Sequence, residues 1–218
     1  MTAAAEPESR TRRIGVFGGS FDPPHLGHAS AAADVADALG LERVLWIPAL
    51  RSPHKAGTEP TPAALRLEMV RVAAAADDRF EVDPVELERP PPSYTVDTLE
   101  TLGRRFGPDV ELVLIVGVDQ WRAFERWRAP ERIRERATIA VMDREGESVV
   151  EEPGVVGVPV RRVDVSSTGV RAAAAEGRSL DGLVTPGVAA IIAREGLYGP
   201  PRRGRGPHGS RSGGRPPG

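Results

Sequence analysis

Residues 14–28 read IGVFGGSFDPPHLGH. An apolar run, Ile14–Phe17, enters a glycine pair at once, and a helix is expected from about Leu26 to Leu39, closed by Gly40. A second apolar run, Arg43–Ile47, follows and is stopped by Pro48. Strand, glycine turn, helix and strand in this order form a crossover unit. Two strands joined through a helix lie parallel, which excludes hairpin-built sandwiches and all-helical bundles for this part of the chain.

The alternation continues. Helices are expected over about Ala63–Ala76, Tyr94–Phe106, Thr168–Glu176 and Pro186–Arg194, with shorter helical patches at Gln120–Trp127 and Pro130–Arg136. Strands are expected at Phe80–Pro84, Glu111–Val116, Thr138–Met142 and Val160–Val163. Glu111–Val116 is apolar on both of its alternating sides, as a strand covered on both faces must be. The implied fold is α/β, a single domain with a parallel sheet flanked by helices, over residues 13–198. Ligands of such sheets bind beyond the carboxyl ends of the strands. The first 12 residues are polar and aperiodic and are expected to form a disordered N-terminal tail. The last twenty hold seven Gly, five Pro and five Arg, a composition expected to form a disordered tail.

Charge narrows the partners. Setting aside the five tail arginines, which meet no acid there, moves the formal net charge from -2 to -7. An acidic body argues against a general nucleic-acid surface, so phosphate binding must be local. The absence of cysteine excludes disulfides, thiol catalysis and cysteine zinc sites, and fits a cytoplasmic location. No membrane-length apolar run occurs, and the N-terminus does not read as a secretory signal.

Scarce residue types mark the chemistry. Of the 29 Lys and Arg residues only Lys55 is lysine, and His25, His28 and His54 are three of four histidines. Gly18 and Gly19 let a backbone approach phosphate, and His25, His28 and the following helix N-terminus add donors and positive potential. A zinc reading needs a third ligand, for which the sequence offers only His54 or carboxylates, and the glycine spacing is neither that of a dinucleotide fingerprint nor that of a Walker loop. The segment Arg51-Ser52-Pro53-His54-Lys55 follows the second strand, on the same sheet edge. Ser166, Ser167 and Thr168 read as a helix cap, but Arg171, expected in the first turn, opposes that helix dipole and suits an anion site. Asp119, after the most apolar strand, suits either ribose hydroxyls or a helix cap. Trp127 suits either a flat ring or the core.

Together, GGSFDPPHLGH, SPHK, ELERPPPSYTVDTLETL, GVDQ with Trp127, and SSTGVR resemble the HxGH nucleotidyltransferase superfamily, and within it the bacterial nicotinate-nucleotide adenylyltransferase family. The resemblance covers about residues 13–198. It implies a Rossmann-like, doubly wound sheet and adenylyl transfer from ATP to nicotinate mononucleotide with Mg²⁺, within NAD biosynthesis. Preference for nicotinamide mononucleotide is the near alternative, and a non-catalytic nucleotide or RNA binder using the tail the remote one. The resemblance implies catalytic roles for His25, His28, Lys55 and Arg171. It implies ATP contacts from Gly18, Gly19, Ser20, Phe21, Gly117, Asp119, Ser167 and Thr168, as well as from the two histidines and Arg171. It implies substrate contacts from Asp22, His54, Lys55, Tyr94, Thr95, Val96 and Trp127, with Trp127 stacking on the pyridine ring. No resident metal site, membrane or nucleic acid is implied, and a homo-oligomer is compatible. Arg128 departs from the aromatic residue many relatives carry there.

Overall fold

A computed structural model describes residues 11–50, 60–143 and 152–199. Six parallel strands form one sheet: β1 (Arg12–Gly19), β2 (Arg43–Pro48), β3 (Phe80–Val82), β4 (Val110–Gly117), β5 (Thr138–Asp143) and β6 (Val155–Pro159). Their spatial order is β3-β2-β1-β4-β5-β6. The chain therefore winds outward from β1 in one direction, returns to its other side and winds outward again. That reversal places the topological switch between β1 and β4.

Among the described residues, seven α-helices accompany the sheet: α1 (Leu26–Leu39), α2 (Ala63–Ala74), α3 (Thr95–Phe106), α4 (Val118–Arg122), α5 (Pro130–Arg134), α6 (Ser167–Ala175) and α7 (Pro186–Glu195). One face buries Phe17, Ala32, Val35, Trp46 and Ile115 beneath α1. The opposite face buries Val16, Ile47, Leu99, Leu102 and Leu114 beneath α3. Alternate residues of one strand thus enter different cores, as the strand's two-residue period requires. A third core joins α2, α6 and α7 through Met69, Val170, Val188 and Ile192.

The alternation of elements stands, and the expected α1 has the observed bounds. One strand is displaced. Val160–Val163 is not a strand, and β6 lies at Val155–Pro159 instead. Its register against β5 begins at Ile139↔Val155 and ends at Asp143↔Pro159. The described ladder closes there, with the Val160 amide donating to the Asp143 carbonyl at 2.8 Å.

Candidate active site

The loop leaving β1 is held in an uncommon backbone. Phe21 has φ of 45°, in the left-handed region a bulky residue seldom enters. Its ring compensates by burial: it stacks on Trp46 with centroids 5.2 Å apart and meets His28 edge-on at 5.1 Å. The loop's carbonyls are tied from three directions. Arg66 Nη1 donates to the Ser20 carbonyl at 2.8 Å, Arg171 Nη1 to that of Asp22 at 2.8 Å, and Ser167 Oγ to that of Pro23 at 2.9 Å.

His25 and His28 meet differently from a shared helical face. His25 is the N-cap of α1 and has extended backbone, and its amide donates to His28 Nδ1 at 3.2 Å. With Nδ1 accepting, Nε2–H is the donor of a neutral His28 ring. The two rings stack with centroids 3.7 Å apart. His28 lines a cavity, whereas His25 is buried behind it.

Two cavities flank the end of β1, one on each face of the sheet. The α1-side cavity, about 520 Å³, is lined by Gly18, Gly19, Phe21, His28, Gly117 and Asp119, with Met142 at its side. The α3-side cavity, about 790 Å³, is lined by Ser20, Tyr94, Thr95, Trp127, Arg128 and Glu86, among others. Both include Gly18, Gly19, Asp119 and Gln120, so the glycine pair forms their common wall. A side chain at Gly18 would meet nothing within 4 Å, so a bound group can approach there without displacing protein.

Several expected residues sit elsewhere. Ser20 lines the α3-side cavity, not the α1-side one. Asp22 lines neither: its carboxylate accepts from Tyr198 Oη at 2.6 Å and from the Thr61 amide at 3.1 Å. Burial pushes that carboxyl up, but the bonds from Thr61 and Tyr198 and the charge of Arg66 outweigh it and hold it below the usual aspartate range. Val96 is a core residue in the first turn of α3. Arg171 opens the second turn of α6, not the first, and ties the loop carbonyl and Thr168 Oγ1. Ser166 accepts from the Gly169 amide as the N-cap of α6 and lines a different cavity, of about 450 Å³. His54 and Lys55 lie outside the described residues.

Sequence reasoning missed Glu86, Arg66 and Tyr198. Glu86 is buried on the wall of the α3-side cavity and accepts from Thr98 Oγ1 at 2.7 Å. Burial pushes its carboxyl up, only partly offset by Thr98, Ser93 and Arg89. Tyr198 carried a signal, since the chain has only two tyrosines and the other, Tyr94, was already singled out. Arg66 carried none, because an arginine in an amphipathic helix reads as solvated.

The donors present bear on how Mg²⁺ would be held. Among the described residues no group of three or more His, Cys, Asp or Glu side chains could hold a metal ion. Asp22 is engaged elsewhere. Asp119 and Asp143 are carboxylates on the α1-side cavity, where a divalent ion carried by a polyphosphate would be met.

The cytidylyltransferase-like family matches residues 16–173. A protein of Thermus thermophilus described as a probable nicotinate-nucleotide adenylyltransferase is 46% identical over 187 residues, covering 85% of this chain and 99% of that one. A Gemmatimonas aurantiaca protein of the same description is 42% identical, covering 85% and 92%. Among solved structures, the Plasmodium falciparum nicotinic acid mononucleotide adenylyltransferase complexed with NaAD is similar, with a TM-score of 0.67 at 16% identity, covering 86% and 97%. At that identity the likeness speaks for the fold alone.

Proposed function

The chain belongs to the cytidylyltransferase-like family and, within it, to the nicotinate-nucleotide adenylyltransferases, and from that premise we propose how its two cavities divide the reaction. The activity is adenylyl transfer from ATP to nicotinate mononucleotide, giving deamido-NAD and pyrophosphate. A phosphate oxygen of the mononucleotide attacks the α-phosphorus of ATP. The bond from that phosphorus to the bridging oxygen breaks, and pyrophosphate leaves with the electron pair. The attacking phosphate is already a nucleophile near neutral pH, so the protein's part is alignment and charge neutralisation.

The observation that carries this division is the shared Gly18–Gly19 wall between cavities on opposite faces of the sheet. ATP takes the α1-side cavity, its phosphates running past His28 toward the first two turns of α6, where Ser167, Thr168 and Arg171 stand. Asp119 and Gly117 hold its nucleoside half. Nicotinate mononucleotide takes the α3-side cavity. Its pyridine carboxylate meets the amides of Thr95 and Val96 at the N-terminus of α3, and its ring lies against Trp127. Charge-assisted bonds from amides favour a carboxylate over a carboxamide. The phosphates of the two substrates then meet across the glycine wall, where no side chain intervenes. His54 and Lys55 add positive charge to the transferring phosphates. Mg²⁺ enters as part of the ATP substrate and supplies further neutralisation of the triphosphate.

Pyrophosphate release with ATP and Mg²⁺ tests this directly. Nicotinate mononucleotide is expected to support turnover and to exceed nicotinamide mononucleotide in kcat/KM. A protein active on phosphopantetheine and inert with nicotinate mononucleotide contradicts the reading. Deleting residues 199–218 is expected to leave turnover nearly unchanged. Loss of function on that deletion would favour a binder acting through the tail.

A further inference from the structure

Asp22 sits in the phosphate loop yet faces neither cavity. Its carboxylate turns toward the end of the described chain, where Tyr198 Oη donates to Oδ1 at 2.6 Å and the Thr61 amide to Oδ2 at 3.1 Å. Thr61 Oγ1 donates to the Tyr198 hydroxyl at 3.2 Å and closes the triangle. Both ends of the Tyr198–Asp22 bond rest on costly backbone. Phe21, the residue before Asp22, has φ of 45°, and Tyr198 itself has φ of 61°. A left-handed conformation at a bulky aromatic residue persists only where its surroundings over-determine it. Helix termination does not account for the left-handed Tyr198, because Gly196 already provides the left-handed exit from α7, whereas its hydroxyl bonds the residue that follows left-handed Phe21.

Arg66 extends the arrangement. It is 1% exposed, and it donates to the carbonyls of Ser20 at 2.8 Å, Thr61 at 2.9 Å and Leu50 at 3.1 Å. One guanidinium therefore ties the loop after β1, the chain leaving β2 and the entry to α2. Its planar fork makes this possible where a lysine's single ammonium would not.

We propose that Asp22, Tyr198, Thr61 and Arg66 form a positioning network that fixes the strained phosphate loop, with Tyr198 coupling the last helix to the Gly18–His28 segment. None of the four is a catalytic residue, since Asp22 and Tyr198 line neither cavity and act through Ser20, Phe21 and the backbone leading to His25. The network sets how well the glycine wall and His28 are aligned, so it acts on the transition state more than on ground-state binding. This inference rests on the adenylyl-transfer reading of the two cavities.

Tyr198→Phe removes one oxygen and keeps the ring. It is expected to lower kcat about tenfold, with KM for ATP and for nicotinate mononucleotide within about twofold of wild type. Asp22→Asn keeps an acceptor for Tyr198 and loses the charge, and is expected to lower kcat less. If the two act through one bond, the double variant falls no further than Tyr198→Phe alone. Thermal melts show that each variant is folded at the assay temperature. An unchanged kcat in folded Tyr198→Phe overturns the proposal, as does strict additivity of the two losses. Wild-type protein without pyrophosphate release would instead overturn the reaction assignment itself.

Discussion

The imidazole rings of His25 and His28 stack 3.7 Å apart with 27° between their planes, and the backbone amide of the first donates to Nδ1 of the second. His25 thus orients a ring that reaches the cavity, rather than reaching it itself. His28→Ala is expected to lower kcat about 10²-fold, the size of effect seen when a donor to developing charge is lost. His25→Ala keeps that backbone amide and removes only the ring stacked on His28, so its own loss is expected to be smaller, and steady-state kinetics of the double variant should match His28→Ala. An unchanged kcat in His28→Ala contradicts the phosphate cradle.

Arg128 lies over the Tyr94 ring, 4.6 Å from its centroid, on the wall of the α3-side cavity. Its charge there favours an anionic ring substituent, although partial exposure screens the effect. Arg128→Gln is expected to lower the ratio of kcat/KM for nicotinate over nicotinamide mononucleotide about 3–10-fold. The loss should shrink as salt is added. An unaltered ratio at low salt would show that the α3 amides alone distinguish acid from amide.

Glu86 is a buried acid whose folded form holds its proton more tightly than the unfolded chain does, because burial disfavours the carboxylate. Its contribution to stability is therefore complete below the ordinary value of 4.5 and is lost as pH rises through the higher folded value. Glu86→Gln keeps the shape without the titration. The Tm difference, variant minus wild type, is expected to grow from about pH 4 to about pH 8. A difference that stays flat or shrinks would contradict the raised carboxyl.

Gly187 is the second residue of α7, and a Cβ built there would lie 2.2 Å from Val72 Cγ1 on α2. Helix propensity alone favours alanine over glycine by about 1 kcal/mol. The branched Val72 side chain is stiff and cannot swing aside cheaply. Gly187→Ala is therefore expected to destabilise by about 1–3 kcal/mol, against propensity. Denaturant melts of Gly187→Ala with Val72→Ala should recover much of that loss. A double variant less stable than Gly187→Ala alone would refute the steric account.

The motifs that carry phosphate chemistry were legible because their residue types serve little else. A glycine pair directly after an apolar strand, with two histidines at the next helix start, has few structural uses. α1 was legible to the residue because its apolar periodicity and Gly40 agree. β6 was not, since Val155–Val160 is apolar throughout and only the register against β5 decides which of these residues pair. Arg66 was hidden because its compensation comes from carbonyls as distant as Ser20. Asp22 was placed in the substrate site by its neighbours in sequence, whereas its partner Tyr198 is 176 residues away.

Arg66 bonds both Leu50 and Thr61, which bracket the segment carrying Lys55. A segment whose two roots are joined by a third residue can change length at little expense to the fold. The sheet is thus insulated at Leu50 and Thr61, since one buried guanidinium holds both anchor points whatever stands between them in sequence.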